Sequence, residues 1–161
     1  MVAATGVLVA AAFYVINLRA QNRNRQAQLF MNMYQNYTSP EAMKLSYDWE
    51  YAKIDSYKDY VNMWQNKESY IAAGYWQIYY EGVGSLVRSG LIDIGLVANF
   101  LSTEVKIAWE RVGPYILEFR KVNNYPRFFV EFEYLYDRMM SYCKDRPEYN
   151  LGSPNARERY K

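Results

Sequence analysis

The chain has 161 residues, with 19 basic and 17 acidic side chains, a net charge of +2, no histidine and one cysteine. This length suits one compact domain with an appendage, and the small net charge argues against a surface that concentrates nucleic acid. Without histidine, the chain cannot supply an imidazole base or metal ligand, whereas carboxylate and lysine chemistry stay open. We therefore expect no nucleic-acid partner, no bound metal and no cofactor.

The first 18 residues are typical of a membrane helix. No charged side chain occurs between Met1 and Leu18, and the aliphatic residues there lie among alanine, glycine and threonine. At 1.5 Å per residue the segment reaches roughly 27 Å, close to the thickness of a hydrocarbon core. A signal peptide would carry a basic residue before the apolar run. The sequence therefore predicts a retained transmembrane anchor over residues 1–18, and the true N-terminus can lie upstream of Met1.

Basic residues follow this apolar segment directly. Arg19, Arg23 and Arg25 precede the first acidic residue, Glu41. An excess of arginine and lysine marks the cytoplasmic side of a membrane helix, so we expect a single-pass protein of the inner membrane with its N-terminus outside. Tyr14 and the three arginines would lie at the membrane interface. A weaker alternative makes the apolar segment a partner-binding helix within a soluble assembly.

Residues 19–38 are predicted to continue the first helix as an amphipathic juxtamembrane segment. Phe30, Met33, Tyr34 and Tyr37 recur at the three- and four-residue steps of one helix face. The chain also contains 18 tyrosines, a residue type common at interfaces. We therefore assign these four side chains as candidates for binding a protein partner.

Residues 39–145 are predicted to form the helical domain, and residues 146–161 a flexible tail. Ser39-Pro40-Glu41 has the order of a helix start, and Met43, Tyr47 and Tyr51 would share one face of that helix. The other predicted helices cover 56–65, 66–89, 93–101, 103–122 with a kink at Gly113-Pro114, and a segment from Pro126 to Tyr142. The predicted fold is therefore all-α: a transmembrane helix, a juxtamembrane helix and an irregular antiparallel bundle of about five helices.

Glu81 is the most suggestive carboxylate, because it lies in a helix with an apolar face nearby. A buried carboxylate needs a partner, and Arg111 or Arg120 on the following helix could provide one. We favour a structural ion pair over catalysis, since structural networks also contain such groups. Cys143 falls on an apolar stripe and is read as an inert thiol.

Two segments resemble an uncharacterised prokaryotic family of small membrane-anchored helical proteins, known as a domain of unknown function. They are YYEGVGSLVRSGLID, from Tyr79 to Asp93, and WERVGPYILEFR, which contains Trp109, Glu110, Pro114 and Arg120. The resemblance implies an N-terminal hydrophobic helix, a basic juxtamembrane stretch and a helical domain. It implies no activity.

These observations lead to two functional hypotheses. The first is a non-catalytic accessory or scaffold protein, a small subunit of a larger membrane complex that presents an exposed tyrosine-rich patch. The second is a membrane-tethered enzyme or small-ligand sensor that uses Glu81, Arg111 and Arg120 in a pocket between helices. We favour the first, and expect no enzymatic activity.

Overall fold

The computed structural model describes residues 2–146 and 149, although the side chains of residues 2–6, 8 and 68 lie outside the described set. This part of the chain contains six helices and no strand. The helices are α1 (Val2–Tyr37), α2 (Pro40–Tyr51), α3 (Tyr57–Gln65), α4 (Lys67–Arg88), α5 (Ile94–Val122) and α6 (Val130–Cys143). The prediction of an all-α fold is confirmed.

Local signals in the sequence account for several helix ends. The Ser39 hydroxyl accepts from the backbone N–H of Ala42 at 3.1 Å, and Pro40 occupies the first turn of α2. The carboxylate of Asp93 accepts from Gly95 N at 2.8 Å and caps α5. At the end of α4, Gly90 has φ +66°, and the N–H of Leu91 donates to the carbonyl of Leu86 at 3.0 Å. This is a Schellman motif, which glycine adopts without a steric penalty.

Helices α4, α5 and α6 enclose the centre of the hydrophobic core. The largest fully buried side chains include Trp76 of α4, Ile116 of α5 and Phe132 of α6. Helices α5 and α6 run antiparallel, because Gly95 at the start of α5 lies beside Tyr142 near the end of α6, whereas Trp109 contacts Phe132.

Helix α1 projects from this core over much of its length. Every described side chain from residue 7 to residue 25 is exposed, whereas Met33 is buried and Phe30 and Tyr37 pack against the core. Within the described part of the chain, no helix is long and apolar enough to cross a membrane. Several side chains of the predicted 1–18 anchor, those of residues 1–6 and 8, fall outside the described set. The anchor therefore stays a prediction.

Two predicted helix boundaries are wrong. The segments 93–101 and 103–122 form one helix, α5, which continues through Pro114. Thr103-Glu104 resembles a helix start but lies inside the helix. The last helix begins at Val130 and not at Pro126, because Phe129 takes a left-handed conformation with φ +51° and residues 126–129 form a turn.

The face of α2 that carries Met43, Tyr47 and Tyr51 lies on the surface of the domain. Met43, Tyr47 and Tyr51 are 66%, 64% and 67% exposed, whereas Ala42 is completely buried. A small side chain lets α2 lie close against its neighbour, and the larger side chains consequently face outward. In α4, similarly, Ile71 and Ile78 are exposed.

The predicted flexible tail over 146–161 lies mostly outside the described residues, which include only Arg146 and Tyr149 of that range. Tyr149 packs its ring 5.7 Å from that of Tyr142, and its hydroxyl donates to the side chain of Asn99. This residue therefore contacts the helical domain.

Candidate functional site

Glu81 caps a helix and forms no ion pair with either predicted arginine. Its carboxylate accepts a hydrogen bond from the backbone N–H of Phe132 at 2.7 Å, in the first turn of α6. Helix α6 has no capping side chain of its own at Phe129. Burial raises the pKa of Glu81, and the hydrogen bonds from the backbone of Phe132 and Glu131 oppose that rise. The prediction of an ion pair with Arg111 or Arg120 is corrected: a carboxylate on α4 satisfies an orphan N–H of α6.

Beside this cap, the backbones of α4 and α6 lie in close contact. A Cβ atom on Gly84 would overlap the carbonyl oxygen of Glu131 and stand 2.6 Å from its carbonyl carbon. One turn further along α4, Arg88 forms a salt bridge with the carboxylate of Glu131. The Arg88 guanidinium also lies 4.0 Å from the centroid of the Tyr134 ring. The part of α4 that contains Glu81, Gly84 and Arg88 is therefore the surface against which α6 packs.

Arg120 holds the turn that precedes α6. Its Nε donates to the carbonyl of Phe128 at 2.7 Å, and Nη2 donates to the carbonyl of Phe129 at 3.0 Å. A third contact is a salt bridge to Glu133. Bonding to these carbonyls stabilises the left-handed conformation of Phe129, so Arg120 has a structural role.

Arg111 binds the carbonyl groups at the C-terminal end of α2. Its Nη1 donates to the carbonyl of Trp49 at 2.6 Å, and Nη2 donates to the carbonyl of Ala52. The guanidinium lies 4.8 Å from the centroid of the Trp49 ring. Carbonyls at a helix end carry partial negative charge, which an arginine neutralises.

A cavity of about 390 Å³ lies between α1, α2, α4 and α5. Four of its ten described lining residues are aromatic, and two are glutamates, one from α2 and one from α5. The lining residues are Tyr37, Ser46, Trp49, Glu50, Trp76, Tyr80, Glu104, Ile107, Ala108 and Arg111. The volume falls within the range of small-molecule sites. Of the three residues of the predicted pocket, Arg111 lines this cavity, whereas Glu81 and Arg120 contact α6.

Glu104 is the half-buried carboxylate of this cavity. Burial raises its pKa, and within the described part of the chain no salt bridge includes Glu104. Burial also raises the pKa of Tyr37 to about 12, and the negative charge of Glu104 adds to that rise. The phenol therefore stays protonated at neutral pH.

Sequence reasoning did not single out Glu104, although the predicted helix 103–122 already contained both Glu104 and Arg111. In one continuous helix, Glu104, Ile107, Ala108 and Arg111 follow the i, i+3, i+4, i+7 pattern and share a face. All four line the cavity. The seven-residue spacing of Glu104 and Arg111 places both on one helix face, and this spacing could have identified the site from the sequence.

The predicted interface residues, Tyr14, Arg19, Arg23 and Arg25, are all exposed on the projecting part of α1. The predicted partner-binding residues are divided. Met33 is buried, and Phe30 and Tyr37 pack against the core, so all three make contacts inside the chain. Tyr34 is 41% exposed, and its ring also packs 4.9 Å from that of Phe100.

Comparison with known proteins places the chain in a family. The model of a family described as "Domain of unknown function (DUF4760)" matches residues 1–139. No curated protein matches the chain, and no solved structure matches it. The resemblance to an uncharacterised domain family, noted on the segments around Glu81 and Trp109, is confirmed. The chain belongs to the DUF4760 family, a family of unknown function.

Proposed function

We propose that this protein is a membrane-tethered, non-catalytic accessory subunit that presents helix α2 to a protein partner. In this proposal, the N-terminal part of α1 enters the inner membrane and the bundle of α2–α6 lies on the cytoplasmic side. The observation that carries the accessory role is the outer face of α2.

That face is apolar although it lies on the surface. Met43, Tyr47 and Tyr51 are spaced four residues apart and form a continuous stripe, with the rings of Tyr47 and Tyr51 4.5 Å apart. Tyr47 and Tyr51 also border a groove between α2 and α4, together with the exposed side chain of Ile71. Exposed apolar patches with tyrosine and methionine are typical of protein interfaces.

The tether rests on the composition and exposure of α1. Val7, Val9, Phe13, Val15, Ile16 and Leu18 are all exposed large apolar side chains. These residues are distributed around the helix, and water would be a poor environment for so much apolar surface, whereas lipid would be a favourable one. Arg19, Arg23 and Arg25 follow at the position where a cytoplasmic interface would lie.

The partner proposal is tested with the tagged full-length chain, solubilised from its own membranes in mild detergent and analysed by mass spectrometry. The test variant carries Met43→Ser, Tyr47→Ser and Tyr51→Ser. The control carries Leu117→Ser, Val122→Ser and Tyr125→Ser, which are also exposed apolar positions. We expect the parent and the control to recover the same protein at stoichiometric yield and the test variant to lose it. Recovery of the parent alone, or equal recovery by both variants, would contradict the accessory role.

Alkaline carbonate extraction tests the tether separately. We expect the chain to stay with the membrane pellet, because extraction with carbonate releases peripheral proteins but leaves spanning helices in place. Release into the supernatant would overturn the tether and favour the reading of α1 as a partner-binding helix.

A ligand-sensing role is the second candidate, and the cavity beside Glu104 favours it. The predicted pocket contained the carboxylate of Glu81, whereas the observed cavity contains that of Glu104.

A further inference from the structure

We propose that the exposed stripe of Met43, Tyr47 and Tyr51, with the groove beside it, receives an amphipathic helix of the partner that carries lysine or arginine next to its apolar face. This inference rests on the proposed function, because it specifies the chemistry of the segment that α2 would bind. It commits to a basic helix and not to an extended strand, a proline-rich segment or a second copy of this chain.

The dimensions of the surface suit a helix. The stripe from Met43 to Tyr51 extends along α2 for about 12 Å, which equals roughly two turns of a partner helix. The groove between α2 and α4 has a volume of about 790 Å³, and the exposed side chain of Ile71 lies on its α4 side. An amphipathic helix docks in such a groove through apolar side chains at three-, four- and seven-residue steps.

Other common modes of peptide recognition fit this surface less well. The described part of the chain contains no strand, so it has no sheet edge with which an extended peptide could pair. Proline-rich segments dock in grooves lined by aromatic rings. The ring centroids of Tyr47 and Tyr51 lie 4.5 Å apart, so the two rings contact each other and leave no slot between them for a proline ring.

The charges beside the stripe favour a basic partner. Helix α2 carries three carboxylates, Glu41, Asp48 and Glu50, and one lysine, Lys44, a net charge of −2 in a chain whose net charge is +2. All four side chains are exposed. Among the described residues, none of the four takes part in a salt bridge. Basic side chains on the partner helix would therefore meet exposed carboxylates at the rim of the apolar contact.

The places of Asp48 and Glu50 within α2 are a separate indication. Both lie in the last turn of the helix, which ends at Tyr51 and contains no basic residue. The C-terminal end of a helix carries partial negative charge, so carboxylates there oppose the stability of α2. Residues that lower stability are expected where they serve binding.

Photo-crosslinking of the full-length chain in its own membranes identifies the bound segment. The crosslinker p-benzoylphenylalanine replaces Met43, Tyr47 or Tyr51 in separate preparations, and Tyr125 in the control, and mass spectrometry maps the crosslinked sites. We expect the three α2 positions, and not the control, to label one segment of another protein. That segment should have apolar residues at three- and four-residue steps and an excess of lysine and arginine.

The alternative outcomes separate this inference from the proposed function. A proline-rich or acidic segment of another protein would overturn the basic helix and leave the accessory role intact. Labelling of a second copy of this chain, or of no protein at all, would overturn both.

Charge reversal tests the ionic contact. The test variant carries Asp48→Lys and Glu50→Lys, and the control carries Glu118→Lys and Asp137→Lys, which replace exposed carboxylates outside α2. Both change the net charge equally, and lysine in the last turn of α2 favours the helix, so unfolding would not explain a loss of binding.

We expect the test variant to lower the crosslinked yield about tenfold, because attraction becomes repulsion at two positions of the rim, and the control to keep the parent yield. Replacing two basic residues of the labelled segment with glutamate should restore the yield of the test variant. Equal yields from the test and control variants, or no recovery with the altered partner, would overturn the proposal.

Discussion

The carbonyl oxygen of Glu131 on α6 lies where a side chain on Gly84 of α4 would begin. The obstacle is backbone, which cannot rotate away as a side chain could. We therefore expect Gly84→Ala to lower the free energy of unfolding by about 1–3 kcal/mol, the usual cost of overpacking, or by more if α6 has to shift.

Gly82 provides the control in the same helix. A Cβ atom there would meet nothing within 4 Å. Alanine favours helix over glycine by up to about 1 kcal/mol, so Gly82→Ala should stabilise the protein slightly. Urea denaturation of both variants measures the difference. Equal effects of the two substitutions would contradict the close contact between α4 and α6.

A second pair of variants tests the hydrogen bond by which Glu81 caps α6. Glu81→Ala removes the acceptor for the N–H of Phe132, and loss of a helix cap costs about 1–2 kcal/mol. Glu81→Gln keeps an acceptor oxygen and removes the charge that burial disfavours, so its effect should be clearly smaller. Thermal unfolding followed by circular dichroism ranks the two. If glutamine were as damaging as alanine, charge and not capping would be the contribution of Glu81.

Short-range signals predicted several helix ends correctly. Ser39-Pro40, Asn66, Asp93 and Gly90 act within one turn of the chain, and each lies at the helix end that its chemistry favours. Such contacts depend on local sequence alone.

Tertiary contacts explain what the sequence did not reveal. The left-handed Phe129 depends on carbonyl contacts from Arg120, nine residues away, and the cap of α6 comes from Glu81. The sequence did not reveal that α2 packs through Ala42, because alanine counts for little in an apolar pattern. The Glu104 cavity was missed because it also needs residues of α1, α2 and α4, which only the tertiary fold brings together.

Tyr75 and Tyr79 of α4 determine how firmly α1 is attached to the bundle. Their hydroxyls donate to the carbonyls of Asn36 and Met33, both at 3.0 Å. The double variant Tyr75→Phe, Tyr79→Phe removes both bonds, each worth about 1 kcal/mol. We expect faster amide hydrogen exchange in residues 30–37 and little change in α5.

The control for this experiment is Tyr125→Phe, an exposed tyrosine outside α4. It should leave exchange in residues 30–37 unchanged. Unaltered exchange in the double variant would mean that ring packing alone, and not the hydroxyls, attaches α1.

The raised pKa of Glu104 predicts that the free energy of unfolding depends on pH. Because burial raises its pKa above the ordinary 4.5, the folded chain holds this proton more tightly than the unfolded chain does. The contribution is fully present below pH 4.5 and is lost as the pH rises through the folded pKa. Tyr37 and Tyr80, the neighbouring phenols, have raised pKa values and stay neutral over this interval.

Glu104→Gln should therefore be close to the parent in stability near pH 4 and more stable at pH 7, when no ligand is present. Glu118→Gln, on the exposed side of α5, controls for the general loss of one negative charge. Urea denaturation of the three proteins across pH 4–8 provides the comparison. A parent chain as stable as Glu104→Gln at pH 7 would show that the charge of the carboxylate is already compensated within the fold. A less stable parent would show a carboxylate retained at a cost to folding, as expected of a residue that serves binding.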